Sequence, residues 1–272
     1  MRLCDHIRLT ARAIAAAGVT VALWAALDSH GLLARRVDRY ELLQRYKIRW
    51  SRSLLRVFGV RLLINGAPML ARDHFDRGDL DAMARSANPV GHLFVINHRS
   101  ALDILVVCAT TESVLVSRHD LADWPFVGHA ARRASTLFVD RSSPKSGAEI
   151  RKGMADELLA GHGVALFPEG TAYRGDEVHK FRTGAFAVAA RTGARIIPMG
   201  VAYENDDATY GDESFGAHAM RLSMIKRQTV TLEFGLPIEP EGQSVDELRD
   251  HARAQVIQLV VRARARLSHE AI

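Results

Sequence analysis

His98 and Asp103 stand five residues apart in Asn97-His-Arg-Ser-Ala-Leu-Asp103, directly after the apolar run Leu93 to Val95. Imidazole is the side chain whose ordinary pKa suits proton abstraction near neutral pH. A carboxylate on its other nitrogen fixes the tautomer and stabilises the imidazolium that forms. The pair is two thirds of a triad without a protein nucleophile, a part that a substrate hydroxyl can fill. The residues alone leave a second reading open. Ser100-x-x-Asp103 is also a capping-box pattern, in which Asp103 holds the first turn of a helix running through Leu102, Ile104, Leu105 and Val107.

A second segment, Val164-Ala-Leu-Phe-Pro-Glu-Gly-Thr171, has the form of a strand stopped by Pro168, followed by a turn that Gly170 permits. Glu169 and Thr171 are thereby presented at a strand end, where α/β folds place their ligands. The bland alternative is an ordinary strand-to-loop turn with a solvated glutamate.

The two segments together, NHxSxxD and then FPEGT, resemble the glycerolipid acyltransferase family, best known for 1-acyl-glycerol-3-phosphate acyltransferases. Thr136-Leu-Phe-Val-Asp-Arg141 and Ile196-Ile-Pro-Met-Gly-Val201 are similar to two further motifs of that family, in family order. Val116 to Leu121 and Phe181 to Phe186 are similar to the segments that flank them. The resemblance implies that His98 is the general base and Asp103 its partner. It makes Arg118, Arg141, Glu169, Gly170, Thr171 and Arg174 candidates for holding the acceptor, with Pro198 near the acyl-donor site. One departure bears on the acceptor. The family usually carries Arg directly after the FPEGT threonine, whereas Ala172 and Tyr173 precede Arg174 here. The head group is therefore either the phosphate of 1-acyl-glycerol-3-phosphate, with Arg174 compensating, or that of another lyso-lipid such as lyso-ornithine lipid.

The chemistry agrees with this reading independently. A thioester is already activated, so acyl transfer to an alcohol needs a base, donors for the oxyanion and positioning of both reactants. No metal or redox cofactor is expected, only acyl-CoA or acyl-carrier protein as co-substrate. The chain has no GxGxxG, no GxxxxGK[ST], no HExxH and no GxSxG, which disfavours nicotinamide enzymes, P-loop NTPases, zinc proteases and ordinary serine hydrolases. A thioesterase, or a non-catalytic lipid-binding protein of the same fold, remains the alternative to a lysophospholipid acyltransferase.

The elements that must position these residues follow from the pattern. With 272 residues, 48% of them hydrophobic, the chain can bury a full α/β core. Strands are expected at Arg61 to Ile64, Leu93 to Ile96, Val114 to Ser117, Thr136 to Val139, Val164 to Phe167, Ile196 to Ala202 and Thr229 to Phe234, with helices between most of them. This predicts a mostly parallel or mixed sheet flanked by helices. Pro198 argues for a sheet edge, a strand end or a bulge at its position. Ser244-x-x-Glu247 opens a final helix reaching Leu267. The two cysteines, Cys4 and Cys108, make no disulfide framework, as expected for a reducing, cytoplasmic setting.

Charge is uneven. Residues 1–65 hold twelve Lys or Arg against four Asp or Glu, although the whole chain is only +5. Ala13 to Leu27 is a run of uncharged residues, short for a bilayer crossing, which needs about 20. After it, Leu43, Tyr46, Trp50, Leu54 and Val57 recur at helical spacing, with Arg45, Arg49, Arg52 and Arg56 on another face. Residues 1–60 are accordingly expected to form a helical membrane-anchoring motif on the cytoplasmic face of the cell membrane, and 61–272 the enzyme domain. Nucleic acid is not an expected partner, because this basic charge is interleaved with a lipid-suited face. The alternative is that the amphipathic helix packs on its own domain with a solvated Arg face.

Overall fold

The computed structural model describes residues 3–33, 38–66, 90–119, 127–140 and 143–270. Its centre is a seven-stranded sheet in the order β1-β7-β6-β2-β5-β3-β4. The strands are β1 (Val60–Asn65), β2 (Leu93–Ile96), β3 (Ser113–Arg118), β4 (Leu137–Val139), β5 (Gly163–Leu166), β6 (Ile196–Tyr203) and β7 (Gln228–Phe234). All neighbours are parallel except β6 and β7. Among the described residues all seven expected strands are present, and the mixed sheet follows the expected α/β class.

Helices cover both faces. They are α1 (Leu3–Leu33), α2 (Arg39–Val57), α3 (Leu102–Thr110), α4 (Val127–Arg133), α5 (Pro144–Leu159), α6 (Gly184–Thr192), α7 (Phe215–Met224) and α8 (Val245–Glu270). The period-two alternation of a strand sends neighbours to opposite faces. In β2, Phe94 and Ile96 join a core with Val106 and Val107 of α3 and Leu55 of α2. Leu93 and Val95 join the opposite core with Leu158 of α5, Phe186 of α6 and Val256 of α8. The site strands are therefore clamped from both sides.

Three expectations are corrected. Pro198 lies neither at an edge nor at an end, but inside the central strand β6, paired with Val95 of β2. Leu93 N–H donates to Arg195 O at 2.9 Å, and the alternation of a parallel ladder then turns the Pro198 nitrogen away from β2. On that other side Ile196 bridges Ile238, and pairing with β7 resumes only at Met199. Pro198 fills the gap between them, where no N–H is required.

The amphipathic helix is the second correction. Within α2, Leu42, Leu54 and Leu55 are buried together with Lys47 and Ser51, and Arg52 Nε donates to Ala109 O of α3 at 3.1 Å. Burying a leucine contributes about 1.5–3 kcal/mol, so α2 is a wall of the domain. The α2 part of the expected 1–60 segment is thus packed on the body, and α1 rests on it through α2 and the end of α7. Leu43, Tyr46 and Trp50 face α1 rather than lipid. Trp50 donates to Thr20 Oγ1 at 3.0 Å and meets Trp24 edge-on at 6.5 Å. Arg45, Arg49, Arg52 and Arg56 do form an exposed row.

The third concerns length. The first helix has 31 residues rather than the run 13–27, and its Asp5–Leu33 stretch is long and apolar enough to cross a membrane. Arg8 and Arg12 do not end it because their charges are used. Arg8 donates to Met224 O at 2.7 Å, and Arg12 to Ser223 O, Ile225 O and Lys226 O, satisfying carbonyls at the end of α7. Gly59, at φ +72°, makes room: a Cβ there would stand 2.6 Å from Lys226 O and 2.7 Å from Arg12 Nη2. The opposite side of α1 exposes Ile7, Ile14 and Val21, seven residues apart and hence on one stripe.

Candidate active site

Three adjacent parallel strands, β5, β2 and β6, end at the same edge of the sheet. The turn after β2 carries Asn97 and His98. The turn after β5 carries Phe167 to Gly170, and β6 ends in Tyr203. Asn97 fixes the first turn to β6: its amide donates to Val201 O at 3.0 Å, and its carbonyl accepts from Val201 N at 2.8 Å.

The expected pair is in contact. His98 Nδ1 lies 2.8 Å from Asp103 Oδ2, with Asp103 fully buried and the His98 side chain 18% exposed. The same oxygen accepts the Arg99 N–H at 2.6 Å and the Ser100 N–H at 2.8 Å. The other oxygen accepts the Tyr203 hydroxyl at 2.5 Å. Burial foremost, and then the Asp103 charge, push the Tyr203 phenol well above its ordinary pKa, so it stays a donor. The His98 contact and the capping bonds of Ser100-x-x-Asp103 are therefore both present. One carboxylate holds the backbone at the head of α3 and orients the imidazole. Because Nδ1 carries the proton shared with Asp103, Nε2 is the acceptor nitrogen, and among the described residues it has no hydrogen-bond partner. Phe167 stacks on the imidazole at 4.1 Å and 17°, leaving it little rotational freedom.

Glu169 is spoken for by the protein itself. Its side chain is buried and accepts the His98 N–H at 2.8 Å and the His179 N–H at 2.8 Å. It also pairs with Arg99 Nη1 at 3.1 and 3.2 Å. Arg99, itself 1% exposed, further donates to His98 O at 2.5 Å and to Glu177 O. A buried carboxylate can remain charged only when paired and hydrogen-bonded, and here those bonds tie the β2 turn to the β5 turn. Gly170 is buried at φ +86°, and a Cβ on it would stand 2.5 Å from Arg182 Nε. Glycine thus lets the Arg182 side chain lie across this turn. Thr171 and Arg174 are exposed beside it, and Tyr173 stacks on His179 at 3.7 Å. Arg118 is exposed at the end of β3, on the same sheet edge. Arg141 lies outside the described residues. Pro198 sits within β6, buried, five residues before Tyr203.

Arg99 and Tyr203 were not among the expected site residues. Tyr203 had a signal, since it shares the β6 face of Met199 and Val201 at period two, turned toward α3. Arg99 stands between the named positions of NHxSxxD, and nothing in the sequence marks it as buried. Among the described residues, no cluster of His, Cys, Asp or Glu could hold a metal ion.

The acyltransferase family profile matches residues 83–202. The lyso-ornithine lipid O-acyltransferase of Pseudomonas aeruginosa is 31% identical over 60% of this chain and 66% of its own length. That of Rhodobacter capsulatus is 33% identical over 52% and 55%. The 1-acyl-sn-glycerol-3-phosphate acyltransferase of Neisseria gonorrhoeae is 26% identical over 54% and 60%. The chain thus matches less than two thirds of the length of these curated relatives. The crystal structure of the 1-acyl-sn-glycerophosphate acyltransferase PlsC from Thermotoga maritima superposes with a TM-score of 0.61 at 17% identity, covering 93% of this chain and 98% of that one. That likeness is one of fold.

Proposed function

From the acyltransferase profile match and the likeness to lyso-lipid acyltransferases, we propose that the chain is a glycerolipid acyltransferase that moves a fatty acyl group from acyl-CoA or acyl-carrier protein to the free hydroxyl of a lysophospholipid. The observation that carries this reading is the His98–Asp103 contact, with Nε2 free of hydrogen bonds among the described residues. His98 Nε2 takes the proton of the acceptor hydroxyl as its oxygen attacks the thioester carbonyl. Asp103 stabilises the imidazolium that results. The tetrahedral intermediate collapses with cleavage of the carbon–sulfur bond, and the thiolate leaves with the proton returned by His98. No enzyme nucleophile, metal or redox cofactor enters these steps.

The acceptor of this reading is 1-acyl-glycerol-3-phosphate, giving phosphatidic acid. Arg118, Arg141 and Arg174 are its candidate phosphate contacts, because a guanidinium fork matches an oxyanion. Arg182, lying across Gly170, adds a cation next to the position where the family usually has its arginine. In this account Glu169 and Gly170 shape the pocket, Thr171 lines it, and Pro198 belongs to the strand near the donor. A second reading, lyso-ornithine lipid, is favoured by Ala172 in place of that arginine and by the two relatives named for that activity. The proposed setting is the cytoplasmic face of the membrane, with the apolar stripe of α1 toward lipid.

The test supplies labelled acyl thioester with and without each lyso-lipid. Acyl transfer that requires an acceptor supports the proposal, and the preferred acceptor decides between the two readings. Release of free fatty acid alone would make the protein a thioesterase, and binding without turnover a lipid-binding protein.

A further inference from the structure

Behind the turn that carries His98 lies a second histidine, whose polar contacts are all internal. His218 of α7 is fully buried, and its Nδ1 is 2.9 Å from Glu213 Oε1. Its Nε2 accepts the Ala101 N–H at 3.2 Å and lies 3.2 Å from Ser100 Oγ. An N–H pointing at Nε2 requires the lone pair there, so the proton is on Nδ1, facing Glu213. Ser100 Oγ in turn accepts the Leu102 N–H at 3.2 Å. Arg221 anchors the arrangement by donating to Glu213 and to Thr209 O.

The ring does a second thing. Tyr210 stacks on His218 at 3.8 Å and 15°, and meets the His98 ring edge-on at 6.5 Å and 69°. Tyr210 N–H donates to Arg99 O at 2.7 Å. Phe167 covers a face of His98, and Tyr210 stands at its edge. Both groups that face His98 across the turn are thus fixed to rigid elements, Phe167 by β5 and Tyr210 through His218 of α7.

Resting on the transferase reading above, we propose that His218, oriented by Glu213, is a positioning residue for the reaction. It holds the head of α3 through Ala101 and Ser100, and it carries Tyr210 against His98, so that Nε2 keeps its direction. A displacement of about 1 Å in such a group can cost on the order of a hundredfold in rate.

The test compares His218→Phe, which keeps a stacking ring but removes the acceptor, with His218→Gln, which offers an acceptor near the former Nε2. Each is assayed at saturating acceptor and thioester, with rates divided by the folded fraction. The expected result is a kcat loss of about ten- to a hundredfold in His218→Phe, with both KM values within about twofold, and substantial recovery in His218→Gln. Tyr210→Leu should lose kcat similarly and Tyr210→Phe should recover it. Unchanged kcat per folded enzyme in His218→Phe, with only a lower melting temperature, would overturn the proposal. Equal losses in the Phe and Gln variants would overturn the acceptor role. Should His218→Phe not fold, His218→Gln and Tyr210→Leu decide the matter: wild-type kcat in both would overturn it. The NMR signals of the labelled His98 ring give a readout independent of turnover. They should move in Tyr210→Leu even if the wild-type protein proves to have no transferase activity, and an unmoved ring would count against the positioning role.

Discussion

The Tyr203 hydroxyl donates to Asp103 Oδ1 at 2.5 Å, joining the end of β6 to the first turn of α3 across 100 residues of sequence. Both groups are buried, so neither can exchange this bond for one to water. A hydrogen bond to a charged group contributes about 1.5–3 kcal/mol.

Tyr203→Phe should therefore lower both stability and turnover. Chemical denaturation should register a loss of about 1.5–3 kcal/mol, and kcat should fall roughly tenfold or more, because an Asp103 left without this donor orients His98 less well. Wild-type kcat in a folded Tyr203→Phe protein would show that the Tyr203 bond serves the fold alone.

The Arg99–Glu169 pair separates structure from ligand binding. Glu169→Gln should cost about 3–5 kcal/mol, as expected when one partner of a buried pair is removed. If instead Glu169 held the acceptor, the substitution would raise the acceptor KM and leave the unfolding curve in place. Measuring both on one preparation distinguishes the two.

His218 gives a pH dependence. Burial is the largest cause holding its pKa below the ordinary 6.5. As pH falls through 6.5, the unfolded chain takes up a proton that the folded protein refuses, and stability drops; at higher pH this contribution is constant. Wild type should lose stability between pH 7.5 and 5 more steeply than His218→Gln. Parallel curves would place the titration elsewhere.

The anchor is tested by deletion. Removing residues 1–37 takes away α1 with its stripe of Ile7, Ile14 and Val21 while leaving the buried leucines of α2 in place. That protein should fold but no longer pellet with anionic vesicles, and the intact chain should bind them less tightly as salt is raised. Removing residues 1–60 should instead prevent folding, since it uncovers the core under Leu54 and Leu55. Undiminished vesicle binding by the shorter deletion would assign membrane contact to another surface.

Local pattern made much of this molecule legible in its sequence. Seven strands, the α8 start and the His98–Asp103 contact follow from periodicity, caps and a five-residue spacing. What was not legible depends on partners far away in the chain. The α2 stripe of Leu43, Tyr46 and Trp50 has the right period for a lipid surface, and only the position of α1 shows that it meets Thr20 and Trp24. Glu169 at a strand end has the appearance of a ligand contact, and only the buried Arg99 reveals where its charge goes. Pro198 argued for a sheet edge, a strand end or a bulge, and the gap between the Ile238 bridge and β7 that admits it cannot be read from one strand. His218 has no motif around it at all.

The central claim is that His98 Nε2 is the base that activates the acceptor hydroxyl. The most direct measurement is the initial rate of acyl transfer to the preferred lyso-lipid by wild type and by His98→Ala, with folding checked by unfolding curves. Intact folding and a rate lower by about 10²- to 10⁴-fold are expected for His98→Ala. A His98→Ala protein that transfers acyl groups within a few-fold of the wild-type rate would contradict it.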